Sequence, residues 1–295
     1  MAEPTAAVLG CGRMGSAMAE RLAGQGVPLV VYNRTRERAE ALAERIGAAV
    51  AVTPREAASR SDVVISMVAD DAAVHALYEG ADGVLAGLRE GAVGVDMSTV
   101  LPDTIRALAP GVRADGAGIL DAPVSGSVSS TLAGELTIMV GGDAADLERA
   151  RPVLERLARR IFHVGPLGSG AAMKLAVNTV IYGLNGAVAE ALVLAERSGI
   201  ERAAAYDVIA ASAVGAPFVG YKRAAFVEPD TTPVAFSLAL ADKDLRLIRL
   251  LAAASGTAMP QAATNLELIR AAERSAGEDS DFSMVASHLR EEGRG

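Results

Sequence analysis

The sequence predicts an α/β fold for its first half, in which strands and helices alternate around a doubly wound parallel sheet. An apolar run at 6–9 is followed by GCGRMG and then by the helical pattern SAMAERLAGQG, which together read as a strand, a glycine turn and a helix. Further apolar runs at 27–32, 49–52, 62–68 and 93–97 each lead into helical or loop residues. A segment from about 169 to 197 has helical composition and length instead.

Size and charge narrow the class of protein. With 295 residues and 51% hydrophobic side chains, the chain is expected to form two domains with at least one substantial core. Its 36 acidic and 28 basic residues give a net charge of −8, the wrong sign for binding nucleic acid or an anionic membrane. The single cysteine, Cys11, excludes an intrachain disulfide, and the N-terminus lacks a signal-peptide pattern. We therefore expect a cytoplasmic protein.

A membrane span and a metal site are not expected either. The one membrane-like stretch, 175–189, is shorter than the roughly 18 apolar residues that a span needs, so we expect a buried helix there. The three histidines are scattered without metal-ligand spacing. The charged tail from 276 to 295 is expected to be a solvated end.

The glycine turn predicts a dinucleotide site. Gly10 would make the tight turn, Gly12 would let a pyrophosphate approach the backbone, and Gly15 would allow close packing of helix on strand. The alternative is an accidental glycine turn, but a strand precedes the motif and a helix follows it, as the site requires. The candidate contacts in the turn are Gly10, Gly12, Arg13, Met14 and Gly15.

The end of the second strand favours NADP over NAD. Asn33, Arg34 and Thr35 stand where an NAD site usually has an acidic residue for the ribose diol. Arg34 can pair with a 2′-phosphate through its planar guanidinium, and the Thr35 hydroxyl can donate to the same group. The alternative is that Arg34, Arg36 and Arg38 form the solvated start of the following helix.

Two later loops are also expected beside the cofactor. Ligands of such sheets bind at the carboxyl ends of the strands, which is where Met67 and Val68 follow one strand and Ser98 and Thr99 follow another. The serine and threonine could instead cap the helix that begins near Asp103.

The segment 169–197 carries the candidate acid. Lys174 and Asn178 are four residues apart and would share one helix face. A carbonyl that receives hydride needs a proton donor, and an ammonium can supply the proton. The alternative is that Lys174 extends its ammonium to solvent from the helix end. The nucleotide fold and a domain junction at 163–166 favour the catalytic role.

Five motifs in order resemble the β-hydroxyacid dehydrogenases, a family that includes 3-hydroxyisobutyrate dehydrogenase and the glyoxylate/succinic semialdehyde reductases. They are GCGRMG, DMSTV at 96–100, DAPVSGS at 121–127, GAAMKLAVN at 170–178 and DKDL at 242–245. The resemblance implies a Rossmann-type domain over 1–164 and an all-α substrate and oligomerisation domain over 165–295. A long interdomain helix would link them, with the catalytic site between the domains.

The resemblance also implies roles for single residues. Lys174 would be the catalytic lysine and Asn178 its orienting partner. The other implied positions are Ser125, Gly126 and Ser127 at the substrate carboxylate, Thr99 near the nicotinamide, Lys243 and Asp244 reaching the site from the helical domain, and Phe236 as a pocket wall. Serines at 127, 129 and 130 stand where the family usually has glycines, and Glu135 where threonine is common, so the substrate is left open.

These observations predict an NADP-dependent oxidoreductase that interconverts a small β- or γ-hydroxy acid and its semialdehyde, or a hydroxy acid and its 2-keto or aldehyde acid, with Lys174 as the proton donor and acceptor. The alternatives are an imine reductase, against which the lysine argues, and a non-catalytic NADPH-binding module. Apolar runs at 187–195 and 245–254 exceed what one small helical domain can cover, so a homodimer or homotetramer is expected.

Overall fold

The computed structural model describes residues 3–292, and the chain divides into two compact units. The first unit extends to Lys174 and the second begins at Leu175, so the division falls inside one long helix. The domain boundary predicted at residue 164 comes before this division and stays a prediction.

The first unit is built on strands that alternate with helices, as the sequence predicts. The strands are β1 Ala6–Leu9, β2 Leu29–Tyr32, β3 Ala49–Val50, β4 Val63–Ser66, β5 Val93–Asp96, β6 Gly118–Asp121, β7 Val124–Ser125, β8 Leu136–Gly142 and β9 Ala158–Gly165. The helices are α1 Arg13–Gly24, α2 Arg36–Ile46, α3 Pro54–Ser59, α4 Asp71–Tyr78, α5 Pro102–Ala114, α6 Val128–Ala133 and α7 Ala144–Leu157, with a short 3₁₀ turn at Val84–Ala86.

One sheet contains all of these strands, in the order β3-β2-β1-β4-β5-β6-β8-β7, with β9 paired to β8. The strands from β3 to β6 are parallel, whereas β8 runs antiparallel to β6. The order reverses at β1, and the carboxyl ends of β1 and β4 therefore flank the position where ligands of such sheets bind. The predicted α/β Rossmann-type fold is confirmed.

The central strands are buried on both faces, which is why they read as continuous apolar runs. Every residue of β1, β4 and β5 is buried. One cluster packs under α1, α2 and α7, and another packs under α3, α4 and α5 on the opposite face. These two cores hold the strand ends and their loops in fixed positions.

The second unit is helical, as the family resemblance implies. The long helix α8, Ser169–Arg197, leads into it, and α9 Arg202–Ala211, α10 Pro217–Val227, α11 Leu238–Ser255, α12 Pro260–Ala276 and α13 Val285–Glu292 follow, with a 3₁₀ turn at Phe282–Met284. By length and composition alone α8 could span a membrane. It carries two buried asparagines with hydrogen-bond partners, Asn178 and Asn185, but less than half of its apolar stretch is buried, so the buried helix expected at 175–189 is confirmed for one face only.

The expectation of a solvated tail after 276 is wrong for the described residues. Phe282 and Val285 are almost fully buried, and α13 packs against α12. The surrounding Glu, Asp and Arg residues hid these apolar anchors in the sequence. Residues 293–295 of the predicted tail lie outside the described part of the chain.

Candidate active site

The glycine turn between β1 and α1 packs on the loop after β4. Gly10 has φ +106°, and a Cβ there would collide with the carbonyl oxygen of Met67 and lie 3.3 Å from Cγ1 of Val68. A Cβ on Gly15 would collide with the carbonyl oxygen of Gly10. The structure therefore brings together four of the predicted cofactor contacts, and two of them must be glycine.

Gly12 differs from its neighbours because a Cβ on it would meet nothing within 4 Å. It is the N-cap of α1, and neither a side-chain cap nor an acidic residue occupies the first turn. Within residues 3–292 no carboxylate therefore caps the backbone N–H groups at this end, and the helix dipole favours an anion there. Arg13 is exposed next to it, and Met14 packs against the core. These features fit a dinucleotide pyrophosphate.

The predicted 2′-phosphate residues follow β2 with different environments. The Asn33 side chain accepts from the backbone N–H of Cys11 at 3.0 Å and donates to the Thr35 carbonyl at 2.8 Å, so it fastens the glycine turn to this loop. Arg34 and Thr35 are exposed, and within residues 3–292 the Arg34 side chain forms no hydrogen bond or ion pair. Arg36, in contrast, is paired with Glu40 at 2.7 Å. Of these two arginines, Arg34 is therefore the one whose guanidinium is available to bind a phosphate.

The carboxyl ends of β4 and β5 are tied together by a buried network around Asp96. Its carboxylate accepts from the Ser66 hydroxyl at 2.5 Å and from the Ser98 backbone N–H at 3.0 Å. Burial raises the pKa of Asp96 to about 6, although these donors oppose the rise. The Ser98 hydroxyl accepts from the N–H of Val68, so the two loops expected beside the cofactor are in contact.

Ser98 does not cap α5. The N-cap residue of that helix is Leu101, whose N–H donates to Asp71 instead. Thr99 follows Ser98 in the same loop and is partly exposed. The alternative of a capping serine is therefore wrong.

The loop predicted to bind a substrate carboxylate contains residues with distinct functions. Ser125 ends β7, and its hydroxyl forms no hydrogen bond within the described chain. Gly126 has φ +145°, and a Cβ on it would lie 2.7 Å from Cδ2 of Leu136, so the position requires glycine. Ser127 is the N-cap of α6 and accepts from the N–H of Ser130 at 3.2 Å. Its hydroxyl is used for capping, whereas that of Ser125 is available.

In the second unit, Asn178 belongs to a buried network that joins α8 to α11. Its Nδ2 donates to Oδ2 of Asp244 at 2.8 Å, and the Tyr182 hydroxyl donates to the same oxygen at 2.8 Å. Nζ of Lys243 lies 2.9 Å from Oδ1 of Asp244, an ion pair whose angle is not that of a hydrogen bond. Burial, and then the charge of Asp244, raises the pKa of Tyr182 well above its usual value. The tyrosine is therefore a neutral donor.

This network changes what the sequence implied for Asp244. Asp244 is 1% exposed, its Oδ2 accepts from Asn178 and Tyr182, and its Oδ1 faces the ammonium of Lys243. It orients Asn178 in the structure, and a direct substrate contact stays a prediction. Tyr182 was missed, although its spacing of four residues from Asn178 along a helix was a usable signal.

Phe236 joins an aromatic cluster in the same unit. Its ring packs at 5.5 Å on Phe282, whose ring packs at 6.0 Å on Tyr182. Beneath it lies a buried ion pair that the sequence did not predict, in which Nζ of Lys222 is 2.7 Å from Asp281. The backbone N–H of Phe236 also donates to Asp281. Phe236 is thus connected through ring contacts to the Asn178 network.

Lys174 lies on the first turns of α8, four residues before Asn178, and is partly exposed. It belongs to the first unit, whereas Asn178, Lys243, Asp244 and Phe236 belong to the second.

Two family models match the chain in succession. Residues 5–165 match the NAD-binding domain of 6-phosphogluconate dehydrogenase, and residues 168–289 match the NAD-binding region of NADP-dependent 3-hydroxyisobutyrate dehydrogenase. Together the two matches include each residue that the sequence singles out for the site.

Relatives match along almost the whole chain. The NAD-dependent L-serine dehydrogenase of Pseudomonas aeruginosa is 35% identical over 286 residues, which is 95% of each chain. The chloroplastic glyoxylate/succinic semialdehyde reductase 2 of Arabidopsis thaliana is 32% identical over 96% of this chain and 78% of its own. The solved structure of 3-hydroxyisobutyrate dehydrogenase from Mycobacterium tuberculosis with L-serine matches with a TM-score of 0.84 and 34% identity, over 98% of this chain and 100% of that one.

Proposed function

This chain belongs to the 3-hydroxyisobutyrate dehydrogenase family of oxidoreductases, and from that premise we propose that it interconverts a small β- or γ-hydroxy acid and its semialdehyde. The alternative substrate class is a 2-keto or aldehyde acid together with its hydroxy acid. We further propose NADP as the preferred cofactor and Lys174 as the proton donor and acceptor. The names of the relatives support the substrate class, because L-serine is a β-hydroxy acid and succinic semialdehyde is a carboxylate-bearing aldehyde.

The observation that carries the proposal is the fixed amide of Asn178. Its Nδ2 is held by Asp244, so Oδ1 is the atom left to accept a hydrogen bond. An ammonium one helical turn earlier is a suitable donor, and Lys174 is at that position. A general acid must be directed at its target, and the amide would supply that direction.

The residues then have separate tasks. In the reducing direction the Lys174 ammonium donates a proton to the carbonyl oxygen, and in the oxidising direction the neutral amine takes the proton back. The unpaired Ser125 hydroxyl and the backbone of Gly126 hold the substrate carboxylate. A bound nicotinamide supplies or accepts the hydride. Gly12 and the N-terminus of α1 hold its pyrophosphate.

The preference for NADP depends on Arg34 and Thr35. An unpaired, exposed guanidinium at the tip of β2 suits a 2′-phosphate, and no acidic side chain stands at Asn33 to repel it. The Pseudomonas relative is named as NAD-dependent, so the preference is proposed from these residues and not from the family.

We also propose that the second unit pairs with a second copy of the chain. Along α8, exposed or partly exposed apolar residues recur at alternating steps of four and three: Val180, Leu184, Ala187, Ala191 and Leu194. Val180 and Leu194 are 68% and 70% exposed, which is costly for a lone apolar stripe in water. Such spacing suits a helix seam. Light scattering at micromolar concentration should give a dimer or tetramer, and a monomer would refute the pairing.

A cytoplasmic location is proposed as well. The only thiol in the chain, Cys11, is buried in the glycine turn, and burial raises its pKa to about 11, so it is kept as an unreactive thiol.

The test is NADPH and NADH absorbance across a panel of semialdehydes, keto acids and cyclic imines. We expect carboxylate-bearing semialdehydes or keto acids to be reduced, with NADPH preferred. Reduction of cyclic imines alone would indicate imine reduction. Binding of NADPH without turnover of any panel member would indicate a binding module.

A further inference from the structure

The carboxylate of Asp121 holds the beginning of α8 from outside the helix. Asp121 ends β6 and is 1% exposed. Its Oδ1 accepts from the backbone N–H of Gly168 at 2.7 Å, and its Oδ2 accepts from the backbone N–H of Ala171 at 2.7 Å. These two N–H groups belong to the four at a helix start that have no partner within the helix. Gly168 has no side chain with which to cap them, so a strand residue does so.

The backbone of this first turn sits directly on the strand ends. A Cβ on Gly170 would collide with the carbonyl oxygen of Met139 and lie 2.6 Å from that of Asp121. A Cβ on Gly141 would collide with Oδ1 of Asp121 and lie 2.8 Å from the backbone nitrogens of Ser169 and Gly170. At Gly141 and Gly170 the backbones of the strands and of the helix are therefore in direct contact. The position of the first turn of α8 is therefore fixed by the Asp121 carboxylate and by Gly141 and Gly170.

Lys174 follows Ala171 by three residues, less than one helical turn. A helix is stiff over that distance, so the position of the first turn of α8 determines where the backbone of Lys174 lies. The burial that raises the pKa of Asp121 is opposed by the same two N–H donors, which favour its charged form. A charged acceptor makes stronger hydrogen bonds to these N–H groups than a neutral one would.

We infer that Asp121 is a positioning residue for the reaction: it touches neither substrate nor cofactor, and it places Lys174 by fixing the first turn of α8. This inference rests on the proposed role of Lys174. A general acid displaced by about 1 Å can cost up to about 100-fold in rate. The loss should therefore appear in kcat, while binding of NADPH at the glycine turn is unaffected.

The test compares Asp121→Asn with Asp146→Asn. Asp146 is another buried carboxylate of the first unit. Within residues 3–292 it accepts from the backbone N–H of Ile119 in the same strand, β6, it pairs with Arg149, and it forms no hydrogen bond with α8. Turnover is measured per NADPH-binding site, so that unfolded molecules do not count. For Asp121→Asn we expect kcat about 10- to 100-fold lower, with KM and NADPH affinity unchanged. Asp146→Asn should lower thermal stability without lowering kcat per site.

A second variant disturbs the contacts that hold the first turn of α8 without changing a charge. Gly141→Ala places a methyl group against Asp121 and the first turn of α8, and it should show the same fall in kcat per site. Equal kcat in Asp121→Asn and Asp146→Asn would overturn the inference, and so would loss of NADPH binding in Asp121→Asn, because the residue would then support the whole unit.

Lys174→Ala, measured in parallel, separates this inference from the proposed function. If it keeps its turnover, the proposed function is wrong regardless of Asp121. If it is inactive and Asp121→Asn resembles Asp146→Asn, only the positioning role is wrong.

Discussion

Replacing Arg34 with alanine should weaken NADPH binding and leave NADH binding unchanged. Arg34 is exposed and has no ion pair to give up within residues 3–292, so its loss should not cost fold stability. Its charge lies close enough to Tyr32 to oppose the burial that raises the pKa of that phenol, which places the guanidinium beside the tip of β2. A 2′-phosphate at this position would gain a charge-assisted hydrogen bond.

Such a bond contributes about 1.5 to 3 kcal/mol, so Arg34→Ala should lose about one to two decades of NADPH affinity. Because the site is exposed and screened by solvent, we expect the lower half of that range. Cofactor fluorescence titration gives both dissociation constants. Arg45→Ala is the control, since it removes the same charge from the last turn of α2, together with a surface ion pair to Glu20 that contributes less than about 1 kcal/mol. Equal wild-type affinity for the two cofactors, or an equal loss of both in Arg34→Ala, would refute the reasoning.

Three further predictions concern the space beside Gly12 for the cofactor pyrophosphate and the stability of the fold. Gly12→Ala should melt like the wild type, because its Cβ has open space, yet bind NADPH more weakly; unchanged affinity would place the pyrophosphate elsewhere. Burial raises the pKa of Asp96 to about 6, so its contribution to the unfolding free energy is present below about pH 4 and is lost as pH rises through about 6. In urea unfolding, the unfolding free energy of the wild type should fall between pH 4 and pH 7, and that of Asp96→Asn should fall by about 3 kcal/mol less. An equal fall in the two proteins would contradict the assignment. Lys222→Met leaves the buried Asp281 carboxylate unpaired and should cost about 3 to 5 kcal/mol of unfolding free energy, against less than about 1 kcal/mol for the exposed Arg223→Ala; similar losses would be inconsistent with a buried pair.

Four of the five strands that the sequence predicts, β1, β2, β4 and β5, are almost wholly buried, whereas the predicted β3 is only partly buried. The buried strands β6 and β8 lie outside the predicted runs. Apart from a last Ser66 and Asp96, the strands β1, β2, β4 and β5 contain no polar side chain other than the Tyr32 phenol, so local composition is enough to find them, and only their ends shift by a few residues. β7 has two residues, and β9 is mostly exposed and contains two arginines, so neither has an apolar run. Both exist because β8 offers them a pairing edge, which is a long-range property.

The candidate site shows the same division. The glycine turn and the spacing of Lys174 and Asn178 are local patterns and are visible in the sequence. The hydrogen bond between Asn178 and Asp244 joins residues 66 apart in sequence, and those from Asp121 to Gly168 and Ala171 join residues 47 and 50 apart. No local pattern encodes these partners, since packing of the helices and strands brings them together.

The most direct test of the central claim is the turnover of Lys174→Ala with saturating NADPH and the best substrate of the panel. Loss of a general acid typically costs about 10²- to 10⁴-fold, so kcat should fall by at least that factor. NADPH affinity should stay at the wild-type value, because the proposed phosphate contacts are in the glycine turn and at the tip of β2. Turnover near the wild-type rate would mean that Lys174 only extends its ammonium to solvent, and that the proposed proton transfer is wrong.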